Sequence, residues 1–97
     1  MNALPGPCRV DVWLWRARFF KTRGLAAKYV ESERVRLFRV GQDEVRLDKA
    51  SRTVRPGDRL VFAIGGRLFD LVIADCGTRR GPAAEARALY TVEPTPA

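Results

Sequence analysis

The stretch RVDVWLWRARFFKTRGLAAKYV, residues 9–30, decides the fold. It reads as two short helices meeting at a corner. Asp11 is placed to cap a first helix that runs to about Phe20, its side-chain oxygen satisfying free amides of the first turn. At about 100° per residue, Val10, Trp13, Leu14 and Ala17 share one face, which is the expected core face. Trp15 and Phe19, four residues apart, fall on the side away from it. Thr22 then caps a second helix from Arg23 to about Ser32, with Leu25, Ala26, Tyr29 and Val30 forming an apolar stripe. Gly24 costs this helix little, because the first turn is loosely constrained.

Outward from the corner the period changes. Val35, Leu37 and Val40 point one way while Arg34, Arg36 and Arg39 largely point the other, the alternation of a half-buried strand. Gly41, Gln42 and Asp43 supply a turn, and Glu44 to Leu47 a second strand. Asp48 to Arg55 reads as an extended or irregular crossing before the turn at Pro56, Gly57 and Asp58. Arg59 to Ile64 and Arg67 to Asp75 are β-type runs joined by Gly65 and Gly66, a two-residue hairpin turn whose positive φ glycine supplies cheaply. Pro82 at a first helical position, followed by Ala83 to Leu89, predicts a short third helix before a Pro-rich tail. The expected fold is α+β, with a two-helix motif packed on a small, mostly antiparallel, twisted sheet and a short carboxy-terminal helix.

With 97 residues the chain has room for one core only. Its 46% apolar and 30% charged residues are ordinary globular composition, so a folded chain is expected. The charge is lopsided: residues 1–55 hold 13 basic and 6 acidic side chains, whereas residues 56–97 hold 5 of each. The whole net charge of +7 therefore sits in the first half, a concentrated field that attracts polyanions such as RNA, DNA or anionic membrane. The start, MNALPGPCRV, lacks the basic and apolar regions of a signal peptide, which places the chain in a reducing cytoplasm. A disulfide between Cys8 and Cys76 is not expected there. Two cysteines without histidine also fall short of a zinc site. Cys76 reads as a buried strand-end residue and Cys8 as an incidental thiol. No apolar run approaches the roughly 20 residues needed to span a bilayer, so no membrane partner is expected.

Catalysis has little to work with. Histidine is absent, no serine or cysteine has an evident activating partner, and the carboxylates are scattered. The chain therefore reads as a binding protein rather than an enzyme, with no cofactor. Between Arg9 and Lys28 the cations are Arg9, Arg16, Arg18, Lys21, Arg23 and Lys28, against the single acid Asp11. Lys21 and Arg23 bracket Thr22 at the corner, where free amides and the positive end of the second helix also favour a phosphate. Arg34, Arg36 and Lys49 could extend this groove along the sheet. For any one of these cations a solvated surface position is the plain alternative. Trp15 and Phe19 have two readings, packing against the sheet or carboxy-terminal segment, or stacking on unpaired bases.

At this point the residues resemble a family. RVDVWLW, ARFFKTRGLAAKYV, the following VRL, DKASRTVRPGDRL and RRGPAAEARALY occur in the order of an S-four RNA-binding domain, the module named after ribosomal small-subunit protein four. The LWRARFFKTR string and the last piece are similar to the small heat-shock-induced, ribosome-associated S-four proteins of bacteria. The resemblance implies residues 9–64 as the RNA-binding module and residues 65–92 as a hairpin strand and short helix completing the same domain, between a flexible leader over 1–8 and a tail over 93–97. It implies RNA contacts by Arg9, Arg16, Arg18, Lys21, Thr22, Arg23, Lys28, Arg36, Lys49 and Arg52. It also implies ribosomal RNA of the free large subunit, with nascent chain and tRNA, as the partner in heat-shock ribosome recycling by a monomer. The chain departs from the pattern at Glu33, where the family has glycine, and at FRVGQDEV, where it has an Asn-Gly-type turn. Better-known relatives also carry a basic carboxy-terminal extension, and affinity resting on it is expected to be missing. The alternatives are nascent-chain quality control on stalled large subunits, an interaction module for an acidic protein or anionic membrane, and an accessory domain acting in trans with an RNA-modifying enzyme. On charge alone, DNA binding stays open too.

Overall fold

The structure, a computed structural model, describes residues 6–92; residues 1–5 and 93–97, which hold most of the expected leader and all of the expected tail, lie outside the described residues. The elements run β1 (Cys8–Arg9), α1 (Val10–Arg16), α2 (Arg23–Ser32), β2 (Val35–Phe38), β3 (Val45–Leu47), β4 (Thr53–Val54), β5 (Arg59–Ile64), β6 (Arg67–Ile73), α3 (Ala83–Arg87) and β7 (Tyr90–Val92). The main sheet has the order β3-β2-β5-β6-β7, and every pairing in it is antiparallel. The fold is α+β with a short carboxy-terminal helix, as the patterning predicts. The Gly65–Gly66 turn closes the β5–β6 hairpin with φ of 59° and 81°, and the register pairs Ile64 with Arg67 across it.

The alternation after Glu33 places Val35 and Leu37 in the core, where they join Leu60, Phe62, Leu71 and Ile73 from the neighbouring strands. Val10, Trp13, Leu14 and Ala17 of the first helical segment bury against this surface, as their shared face requires. Val10 and Leu14, both fully buried, each contribute about 1.5–3 kcal/mol by leaving water. Val40 does not join them. It is 93% exposed, because β2 stops at Phe38 and the alternation stops with it.

Helix α2 follows its expected bounds, and Thr22 Oγ1 accepts the Leu25 amide at 3.0 Å. Its buried face is narrower than the apolar stripe suggests. Ala26 and Val30 are buried and Tyr29 reaches β5 to hydrogen-bond Ala63, but Leu25 is 51% exposed. Ala26 and Val30 are one turn apart and meet the core, while Leu25 is rotated off that line toward water.

Helix α1 corrects the sequence reading at both ends. Asp11 is not its N-cap; Arg9 occupies that position, without a side-chain cap. The amides of Val10 and Asp11 are instead satisfied by the carbonyls of Arg52 and Ala50, at 2.8 and 3.4 Å. Asp11 is buried inside the first turn, where its carboxylate accepts Arg9 Nε and Nη2, both at 3.0 Å, and the Val12 amide at 2.8 Å. The helix ends at Arg16 rather than near Phe20. Arg18 takes φ of 66°, the one positive value at a non-glycine among the described residues. The Arg18 amide then bonds the Trp15 carbonyl at 3.1 Å and the Phe19 amide the Leu14 carbonyl at 3.0 Å, the paired closure that ends many helices in a left-handed residue.

That closure turns Phe19 inward. Its ring lies 5.2 Å from Phe62, 5.1 Å from Phe69, 5.2 Å from Tyr90 and 6.1 Å from Trp13 between centroids. Of the two readings for Phe19, packing is the one realised. Trp15 is half-buried and has no ring partner among the described residues.

The carboxy-terminal part differs from expectation in detail. Pro82 is the N-cap of α3 rather than its first residue, and Tyr90–Val92 forms an edge strand against β6 that the sequence does not signal. Cys8, read as the end of the leader, pairs with Val54 in the two-stranded β1–β4 ladder. Cys76 is buried beyond the end of β6, with its thiol 3.7 Å from the Val54 carbonyl, and both cysteines are free.

Candidate nucleic-acid interface

The corner between α1 and α2 is where sequence, dipole and charge coincide. Lys21, Thr22 and Arg23 are all exposed there. Thr22 has extended backbone angles, which let its hydroxyl cap Leu25 while the other amides of the first turn face outward. Two cationic side chains thus flank the positive end of a ten-residue helix. Lys28 is exposed further along the same helix.

Arg16 and Arg18 belong to the same string of sequence but have a different role. Arg16 Nη1 donates to the carbonyls of Cys76 at 3.3 Å and Gly77 at 2.9 Å. Arg18 Nε donates to the Gly81 carbonyl at 2.6 Å. Trp13 Nε1 adds a bond to the Asp75 carbonyl at 3.0 Å. Residues 75–81 therefore run as a strap across the end of α1, held by side chains from the helix. One arginine of the strap reciprocates: Arg80 Nε donates to the Trp15 carbonyl at 3.1 Å and Nη2 to that of Phe20 at 3.5 Å. Arg80 brings a cation next to Lys21 that arises in the electrically neutral half of the sequence.

A second group gathers around the start of α1. Arg9 pairs in register with Thr53, and the loop bearing Lys49 and Arg52 caps the helix with its carbonyls. Arg9, Lys49 and Arg52 are all exposed. The hydrogen bond from Arg9 to Asp11, and then the charge of that carboxylate, raise the arginine's pKa, so it stays a cation.

Arg36 stands apart from both groups. Its neighbours Val35 and Leu37 are buried under the helices, so Arg36 projects from the opposite face of the sheet. There it pairs with Glu44 at 3.4 Å and lies over the Phe38 ring at 5.8 Å. The structure thus brings together Lys21, Thr22 and Arg23 at one corner and Arg9, Lys49 and Arg52 at another site, ties Arg16 and Arg18 to the strap, and leaves Arg36 behind the sheet. The residue missed from sequence is Arg80. Its only signal was membership of the RRGPAAEARALY motif, because its partners Trp15 and Phe20 are 65 and 60 positions away.

Chemically the exposed corner can hold a phosphate by charge and by amide donation. Among the described residues no group of three or more Cys, Asp or Glu is placed to hold a metal ion, and no helix is long and apolar enough to cross a membrane.

Comparison with known proteins adds a family context. No family model matches the chain. Over 82 residues it is 33% identical to heat shock protein 15 of Escherichia coli K12, an alignment covering 84% of this chain and 57% of that protein. Over 82 residues it is 34% identical to the heat shock protein 15 homolog of Haemophilus influenzae, covering 84% of this chain and 58% of that one. The chain thus spans less than two thirds of the length of the curated relatives it matches. Among solved structures, the trimeric structure of Vibrio cholerae heat shock protein 15 superposes with a TM-score of 0.73 at 32% identity, covering 91% of this chain and 83% of that one.

Proposed function

We propose that this chain, which belongs to the heat shock protein 15 family of small S-four proteins, binds ribosomal RNA on free large ribosomal subunits that still hold nascent chain and tRNA, and serves their recycling under heat stress. The observation that carries this reading is the corner itself, where Lys21 and Arg23 flank the capped start of α2 and Arg80 lies alongside. Phosphates seated there gain charge–charge attraction and amide hydrogen bonds together, while the shape of the α1–α2 corner selects structured RNA over a random polyanion. The role is binding rather than catalysis, since cations and amides hold phosphate but offer no general base. One copy carries the whole corner, so a monomer suffices for the contact.

Sedimentation tests this directly. At physiological salt the protein is expected to peak with free large subunits, more strongly when they hold peptidyl-tRNA, and to leave that peak after ribonuclease digestion. Lys21→Ala with Arg23→Ala is expected to weaken RNA binding about ten-fold or more with the fold intact, whereas Arg67→Ala with Arg87→Ala leaves it unchanged. An even spread over all ribosomal fractions overturns the large-subunit reading. Persistence after digestion points to an acidic protein or membrane partner instead.

A further inference from the structure

Two thiols from opposite ends of the described chain meet at one residue. Cys8 of β1 pairs in register with Val54, and the Cys76 thiol lies 3.7 Å from the carbonyl of that same Val54. The two cysteine side chains are hydrogen-bond partners. Neither position is loose. Strand β1 leads directly into α1, whose first amide bonds the Arg52 carbonyl at 2.8 Å. On the other side, Arg16 Nη1 holds the Cys76 carbonyl at 3.3 Å and Trp13 Nε1 holds that of Asp75 at 3.0 Å. Cys76 is buried, whereas half-buried Cys8 offers the way in from solvent.

The surroundings set how such a pair reacts. Burial first, then the neighbouring Cys76 and Asp75, push the Cys8 thiol well above its ordinary range, against the opposing charge of Arg16. The thiolate is the attacking form, so oxidation is slow at neutral pH and quickens as pH rises. Arg16, whose buried Nε has no hydrogen-bond partner among the described residues, supplies the positive charge that favours that thiolate. Under reducing conditions both cysteines therefore rest as thiols.

We propose that Cys8 and Cys76 form a reversible disulfide under oxidising conditions, a covalent tie between β1 and the strap of residues 75–81. The Cys8 thiolate attacks one sulfur of a low-molecular-weight disulfide, forming a mixed disulfide and releasing one small thiol. Cys76 then loses its proton, attacks the Cys8 sulfur and expels the second small thiol. Two protein thiols are oxidised, one small disulfide is reduced, and the two protons end on the departing thiols. The second step is intramolecular, because the two sulfurs are already neighbours. The tie encloses most of the chain, and a long closed loop constrains the unfolded state strongly. It also fixes to the amino-terminal strand the segment whose carbonyls hold Arg16 and Arg18. None of this depends on the chain binding RNA.

The experiment treats the full chain with oxidised glutathione at about pH 8 and maps its peptides without reduction. A linked Cys8–Cys76 peptide is expected from monomeric protein, with a melting temperature raised by about 10 °C that dithiothreitol returns to its starting value. Cys8→Ser, at the less buried of the two positions, is expected to melt like the reduced wild type and to gain nothing on oxidation. A stable glutathione adduct on Cys8 beside a free Cys76 thiol overturns the assignment. So does a disulfide between two chains, or a linked pair whose melting temperature does not rise.

Discussion

Arg16 and Arg18 lie within seven residues of Lys21 and Arg23, yet the two pairs have different fates. The first pair is bound into carbonyls of residues 76–81; the second stands free at the start of α2. In the sequence all four look like one basic patch. The structure separates cations that build the corner from cations that the corner displays. A guanidinium held by main-chain oxygens keeps its charge, but the donors so used, Nη1 of Arg16 and Nε of Arg18, are not available to a phosphate. Counting positive residues therefore overstates the phosphate-binding surface at Arg16, and by the same rule Arg80, held by the Trp15 and Phe20 carbonyls, adds positive charge near the corner rather than free donors.

The contrast breaks most severely at its anchor. Phe19→Ala removes the ring on which Trp13, Phe62, Phe69 and Tyr90 converge, and is expected to cost about 3–5 kcal/mol in chemical denaturation, loosening both pairs at once. A smaller change sharpens it. Arg16→Ala strips partners from the Cys76 and Gly77 carbonyls and is expected to cost about 1–3 kcal/mol, with the salt dependence of RNA binding unchanged. Lys21→Ala should do the reverse, leaving the melting temperature in place and lowering the slope of log affinity against log salt by about one. If Arg16→Ala lowers that slope as much, the two pairs are not functionally distinct. Smallest is the effect at Trp15, half-buried between the pairs. Trp15→Ala is expected to change stability by no more than about 1 kcal/mol. Its RNA affinity should fall by about 1 kcal/mol, the signature of a stacking surface, read from melts beside binding curves.

Local signals are legible in the sequence. The Thr22 cap needs only Leu25, three residues on, and the β5–β6 hairpin needs only two glycines able to take positive φ. The alternation of Val35 and Leu37 is equally local. What escaped depended on distant partners. Asp11 looks like a cap because the carbonyls of residues 50 and 52 that actually satisfy the first amides cannot be seen from the helix. A helical wheel places Phe19 on the outer face only if it continues past Arg16, whereas the left-handed Arg18 closes the helix and turns that ring inward. Strand β7 is three residues long and owes its existence to pairing with β6, so it carries no pattern of its own. At the candidate site the corner cations were legible. The clamp on Arg16 and Arg18, the arrival of Arg80, and the position of Arg36 behind the sheet required the fold.

The strap also sets the order in which this surface can mature during synthesis. Its bonds to Trp13, Arg16, Arg18, Trp15 and Phe20 span 60 to 65 positions, and a ribosome adds roughly 5–20 residues per second. For several seconds the emerging amino-terminal half carries all of its cations with none of them yet tied down by the strap. Only when residues 75–81 leave the exit tunnel can Arg16 and Arg18 be tied to the strap. If the chain binds RNA as proposed, its nascent amino-terminal half is expected to attract polyanions less selectively than the finished protein, since the corner takes its final shape last.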